Sequence, residues 1–170
     1  MTAGVPLDPA DHAEGYRKWV EYIAHNHHAA NPLTVETQQF TPLAKPLAES
    51  RVALVSSAGV HLDDQEPFHI ATVAGDPSFR VLNDDLDPGR LRFTHTHYDT
   101  KSAEADPNVV FPIDRLHEAV DDGRIGSASP VHVGMMGFNP DPTPIAEVSA
   151  PAVAELLAGE GVDVVVLVPG

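Results

Sequence analysis

Two short, nearly continuous apolar runs constrain this chain most: Arg51 to Ser56 (Arg-Val-Ala-Leu-Val-Ser) and Val162 to Val168 (Val-Asp-Val-Val-Val-Leu-Val). A strand wetted on one face alternates apolar with polar residues. A run that stays apolar at successive positions, and is rich in β-branched valine, predicts a strand covered on both faces, as in a parallel sheet. The second run follows a predicted helix with Val153, Leu156 and Leu157 on one face, capped by Ser149 and ended by Gly159 and Gly161. Helix, glycine turn and buried strand make half of a parallel crossover unit. Another helix is predicted from about Ile113 to Asp122, where Ile113, Leu116 and Val120 share a face and Gly123 is the stop. An earlier helix carries Tyr16, Trp19, Val20 and Ile23 at helical spacing, with Asp8 as N-cap and Pro9 at its first position. His25, Asn26, His27 and His28 close it, as a solvated helix end or as a metal tract. The 16 prolines and the Asp- and Pro-rich loops Asn83 to Gly89 and Asn139 to Pro144 suit an α/β core better than a helical bundle. The expected fold is α/β: a three-layer domain with a mainly parallel sheet, its C-terminal part missing. Residues 1–49 read as a helix and connector, and residues 50–170 as the α/β domain.

Composition narrows the function classes. Ten Lys and Arg against 25 Asp and Glu give a formal net charge of −15, a field that repels nucleic-acid phosphates and anionic lipid. No window approaches the roughly 18 to 20 apolar residues of a membrane span, and Met1 to Asp11 carries no secretory signal. The expected location is therefore the cytoplasm. The absence of cysteine excludes disulfides, thiolate metal sites and a cysteine nucleophile within these residues.

The sharpest chemical signal is Thr94-His95-Thr96-His97-Tyr98-Asp99, which follows a short predicted strand, Leu91-Arg92-Phe93. In an extended segment His95, His97 and Asp99 project to one face, where they could meet an ion or an anionic substrate. His-x-His-x-Asp is similar to the metal-binding start of the metallo-β-lactamase superfamily. That motif continues with a further His where this chain has Thr100, so at most one zinc with an open position is implied. The alternative is that these histidines bond loop backbone at a strand end. His61, just past the first apolar run, and His132, before Gly134-Met135-Met136-Gly137, are substrate-side candidates, because ligands collect beyond the carboxyl ends of strands in open α/β sheets. Either could instead be a solvated loop residue. Asp63, Asp64 and Glu66 beside His61 read as a solvated acidic loop. There is neither a phosphate loop nor a nucleophile elbow.

Five segments, in order, resemble the selenoprotein B family of glycine, sarcosine, betaine and D-proline reductases, especially its D-proline reductase branch. They are Val52-Ala-Leu-Val-Ser-Ser-Ala-Gly-Val-His-Leu62, Thr94-His-Thr-His-Tyr-Asp99, Val110-Phe-Pro-Ile-Asp-Arg-Leu116, Gly134-Met-Met-Gly-Phe-Asn-Pro-Asp141 and Gly161-Val-Asp-Val-Val-Val-Leu-Val-Pro-Gly170. The resemblance implies a selenocysteine, or a cysteine in its place, immediately after Gly170. A selenolate there would cleave a C–N bond of a small amine or amino acid. It further implies a partner subunit whose pyruvoyl group activates the substrate amine, a dithiol reductant and a disulfide as the oxidised product. Without that residue the 170 residues cannot perform the nucleophilic step, and a UGA codon read as a stop is the expected cause. His95, His97 and Asp99 are then expected to line the pocket as catalytic residues, with His61, His132 and Gly170 on the substrate side. Two other readings remain: a mononuclear metal-dependent hydrolase built on His95, His97 and Asp99, and a non-catalytic module that binds a partner through an exposed sheet edge.

Overall fold

Strand β1 (Arg51–Ser56) forms the centre of the sheet because its successive residues are apolar toward both faces. The computed structural model describes residues 41–71 and 75–170, so the predicted first helix and the His25 to His28 stretch lie outside the described residues. Pro42–Gly170 forms a unit of its own. After β1 come β2 (Val60–Leu62), β3 (Phe79–Asn83) and β4 (Leu91–Phe93), then helices α1 (Lys101–Ala105) and α2 (Ile113–Asp121). Strands β5 (Ser127–Ala128) and β6 (Val131–Met135), helix α3 (Ala150–Gly159) and strand β7 (Val164–Val168) complete the order. β1 pairs in parallel with β7 along one edge and with β5 and then β6 along the other. β3 lies antiparallel on the far side of β6, so the sheet is mixed at that end. β2 and β4 form a separate antiparallel ribbon.

The period of two in β1 decides what each face meets. Val52 and Leu54 pack with Phe111, Ile113 and Leu116 at α2, whereas Ala53 packs with Val133 and with Val153 and Leu157 of α3. Both helices end at glycines with φ near +70°, Gly123 and Gly161, in the left-handed region that lets the chain turn back.

A bulge between β5 and β6 changes the register against β1 by two residues. Pro130 sits in the bulge and has no N–H for a ladder. Ser129 N–H still donates to Val52 O at 2.8 Å. The orphaned Leu54 N–H instead donates to the ring Nδ1 of His132 at 3.1 Å. In β6, a β-carbon on Gly134 would fall 1.9 Å from Val60 O, so only glycine lets these backbones approach.

Two expectations need correction. β7 is not covered on both faces: Leu167 is 75% exposed, Val165 39% and Val166 40%, and among the described residues β7 pairs with β1 alone. Apolar periodicity shows that a strand can be covered, not that a neighbour is there. Nor does Ser149 cap α3. Its backbone is already helical at the end of a wider, π-type turn, Ile145–Ser149, and its hydroxyl donates to Pro77 O.

Candidate functional site

β4 stops at Phe93, so the alternation that would align His95, His97 and Asp99 on one face does not extend to them. At this point Thr94 N–H donates to Gly59 O at 2.9 Å. Gly59 has φ +69°, and a β-carbon there would lie 2.1 Å from Thr94 O. The chain then folds on itself. His97 N–H donates to His95 Nδ1 at 3.0 Å, and the His97 ring stacks on Phe138 with centroids 3.9 Å apart. The carboxylate of Asp99 turns to its own helix start and accepts from Lys101 N–H at 3.1 Å. The zinc alternative finds no support in this donor arrangement: among the described residues no three His, Cys, Asp or Glu side chains group in a way that could hold a metal ion.

Hydrogen-bond accounting separates the candidate histidines. His61 is 3% exposed; its Nδ1–H donates to Leu62 O at 2.7 Å and its Nε2 accepts from the Thr94 hydroxyl at 2.8 Å. His132 is fully buried, accepts from Leu54 N–H through Nδ1, and donates through Nε2 to Asp84 Oδ1 at 2.9 Å. Asp84 Oδ1 also accepts from His117 Nε2 at 2.8 Å. Both nitrogens of His61 and of His132 are therefore spent on holding elements together. His95 differs. Its Nδ1 accepts from His97, which leaves the proton on Nε2, and Nε2 is buried with no partner among the described residues. A buried donor of this kind calls for an acceptor that the described residues do not supply.

The end of β7 arrives beside this histidine loop. Ser57 N–H donates to Val168 O at 2.9 Å, and Gly170 N–H donates to Ser57 Oγ at 3.2 Å. The backbone of Gly170 lies against Ala58 so closely that a β-carbon would fall 2.3 Å from Ala58 Cα. Tyr98 closes the arrangement: its hydroxyl donates to Ala58 O at 2.9 Å, and its ring lies 4.9 Å from that of His95. Tyr98, Ser57 and Phe138 were not among the residues singled out from sequence. Tyr98 lies within the histidine motif, and a hydroxyl on an aromatic ring between two titratable residues was the available signal. The acidic segment near His61 is ion-paired rather than simply solvated: Arg90 Nη2 lies 2.8 Å from Asp63 and 2.7 Å from Asp64.

Burial, and secondarily the neighbouring His97, lower the His95 pKa to about 4. Burial likewise lowers those of His97 and His132 and raises that of Tyr98 to about 12. At neutral pH His95 is a neutral N–H donor and Tyr98 keeps its proton. For a histidine whose folded pKa lies below its unfolded value near 6.5, the unfolded chain binds protons first. This contribution to stability is therefore intact above about pH 6.5 and is lost as the pH falls from there toward 4. Urea midpoints measured from pH 8 to pH 4 are expected to be level at first and then to drop below about pH 6.5. His95→Gln, which cannot titrate, should reduce the drop.

The family model described as glycine/sarcosine/betaine reductase selenoprotein B matches residues 26–169. D-proline reductase subunit gamma of Acetoanaerobium sticklandii is 37% identical over 131 residues, which are 77% of this chain and 53% of that protein. Betaine reductase complex component B subunit beta of Peptoclostridium acidaminophilum is 27% identical over 125 residues, 72% of this chain and 28% of that protein. The chain thus spans about half the length of the first relative and about a quarter of the second. No solved structure matches it.

Proposed function

The chain belongs to the glycine/sarcosine/betaine reductase selenoprotein B family, and on that premise we propose that it supplies the substrate-side part of a reductase subunit whose nucleophile directly follows Gly170. The observation that carries this reading is the meeting of Gly170, Ala58, Tyr98 and His95 at the ends of β7 and β1. In open α/β sheets that end of a strand is where ligands collect. A residue added after Gly170 starts beside Ala58, whose carbonyl holds Tyr98, and the Tyr98 ring lies 4.9 Å from that of His95.

The reaction is reductive cleavage of the C–N bond of a small amine or amino acid. A selenolate or thiolate after Gly170 attacks the carbon bearing nitrogen, the C–N bond breaks, and its electron pair leaves with nitrogen, which takes up a proton. A dithiol then reduces the carbon–chalcogen bond, so that the carbon gains hydrogen and the dithiol becomes a disulfide. In sum, R–NH2 and two thiols give R–H, ammonia and one disulfide. A pyruvoyl group on a partner subunit supplies the activation of the substrate amine. Within this chain, His95 Nε2–H suits a carboxylate or carbonyl oxygen of the substrate, and Tyr98 holds the histidine loop on Ala58. His97, stacked on Phe138, forms one wall. The layered α/β core, with α2 and α3 on opposite sides of β1, keeps these loops fixed. The reading puts the subunit in the cytoplasm, where dithiol reductants persist; no helix of the described residues is long and apolar enough to cross a membrane.

The nucleotides after the Gly170 codon test it. An in-frame UGA, UGC or UGU followed by open reading frame is the expected result. UAA or UAG with no continuing frame would contradict the proposal.

A further inference from the structure

Among the described residues, Ser57 alone hydrogen-bonds the chain on both sides of Pro169, where it leaves β7. Ser57 N–H donates to Val168 O at 2.9 Å, and Ser57 Oγ accepts from Gly170 N–H at 3.2 Å. Pro169, between those two groups, has no N–H to bond. With Ser57 N–H on Val168 O, the next bond of a regular parallel ladder would run from Gly170 N–H to the Ser57 carbonyl. The side-chain oxygen stands in for that carbonyl, so the pairing of β1 with β7 ends on a hydroxyl. A β-carbon on Gly137 would fall 3.2 Å from Ser57 Oγ, so this glycine gives the hydroxyl its room.

The surface against which Gly170 lies is fixed as well. Ala58 is fully buried, its N–H donates to Ser56 Oγ at 3.3 Å, and its carbonyl accepts from the Tyr98 hydroxyl. Ser56 Oγ in turn donates to Val110 O at 2.7 Å. A β-carbon at position 170 would lie 2.3 Å from Ala58 Cα and 2.4 Å from Ala58 Cβ. Position 170 therefore takes no side chain, and the first residue past Pro169 that can present one is the residue after Gly170. Glycine is the residue with the widest backbone freedom, and a loose one here would leave the following side chain without a direction. The bond to Ser57 Oγ holds the plane of the Pro169–Gly170 peptide, and the contact with Ala58 limits the turn that follows.

We infer that Ser57 is a positioning residue: through its hydroxyl it sets the direction in which the chain leaves Gly170, and with it the line along which the next residue meets a substrate. The inference rests on the reductase reading, in which that next residue is the nucleophile, and deepens it by assigning the group that aims it. A misplacement of about 1 Å at a reacting atom can cost about a hundredfold in rate. Ser57 acts on the attacking group rather than on bound substrate, so its loss should fall on kcat and leave KM nearly unchanged.

The test compares wild type, Ser57→Ala and Ser57→Thr in a subunit that continues past Gly170 with cysteine. Amide hydrogen exchange reads the hold on Gly170 without turnover. Gly170 N–H is expected to exchange at least about tenfold faster in Ser57→Ala, and at close to the wild-type rate in Ser57→Thr, which keeps the hydroxyl. Steady-state kinetics with the proposed partner subunit and a dithiol read the aim. Ser57→Ala should lose about tenfold to a hundredfold in kcat with KM within about twofold, and Ser57→Thr should recover most of the loss. Overturning results are equal exchange in wild type and Ser57→Ala, a wild-type kcat in Ser57→Ala, a change confined to KM, or a kcat that stays low in Ser57→Thr although protection of Gly170 returns. A wild-type subunit that shows the exchange difference but releases no amine upholds the hold on Gly170 and counts against the reductase reading alone.

Discussion

His95→Ala, made in a subunit that continues past Gly170 with selenocysteine or cysteine, is expected to lower turnover of the proposed amine substrate by well over tenfold, the scale of a lost orienting or proton-handling group. The expectation follows from an unequal distribution of partners. His61 and His132 spend both ring nitrogens on the fold, whereas His95 spends one and leaves Nε2–H buried without a partner among the described residues. His95→Gln, which can offer a side-chain N–H, should retain more activity than His95→Ala. Steady-state rates for both variants, with thermal unfolding midpoints beside them, check the claim. Wild-type turnover in His95→Ala would remove the residue from the site.

Gly134→Ala is the substitution expected to cost the most stability. The added carbon would sit 1.9 Å from Val60 O, on the backbone of an adjoining strand, and Val60 is itself fully buried. β6 cannot retreat, because it pairs with β1 on one side and β3 on the other. The cost should exceed about 4 kcal/mol, a large fraction of the roughly 5 to 15 kcal/mol that holds an ordinary domain together. Gly159→Ala is the control. Nothing lies within 4 Å of a β-carbon there, and alanine favours helix, so it should be neutral or raise stability by up to about 1 kcal/mol. Chemical denaturation of the two variants side by side gives the comparison, and equal stabilities would show that the approach of β6 to Val60 is not as tight as described.

Much of the scaffold is legible in the residues. The nearly continuous apolar run Arg51 to Ser56 is β1 from end to end, Leu91 to Phe93 is β4, and the glycines at 123 and 161 end their helices. These features are local, and local sequence carries them. What the sequence did not carry depended on a distant partner. The valines of β7 look like those of β1, yet they are exposed because coverage is decided by other elements. The alternation expected of His95, His97 and Asp99 required the strand to continue, and the contact of Gly59 with Thr94, 35 positions apart, goes with its end. His132 fills an acceptor role created by a bulge at Pro130, which spacing alone does not reveal. Tyr98 reaches a carbonyl 40 residues earlier in the chain.

The measurement that bears most directly on the account is the stoichiometry of a subunit completed past Gly170, combined with the proposed pyruvoyl-bearing partner subunit and a dithiol. The account predicts one disulfide formed for each ammonia or amine released from a small amino acid or amine, with the reaction abolished when the residue after Gly170 is alkylated. Amine release that continues after alkylation, or that consumes no thiol, would contradict it.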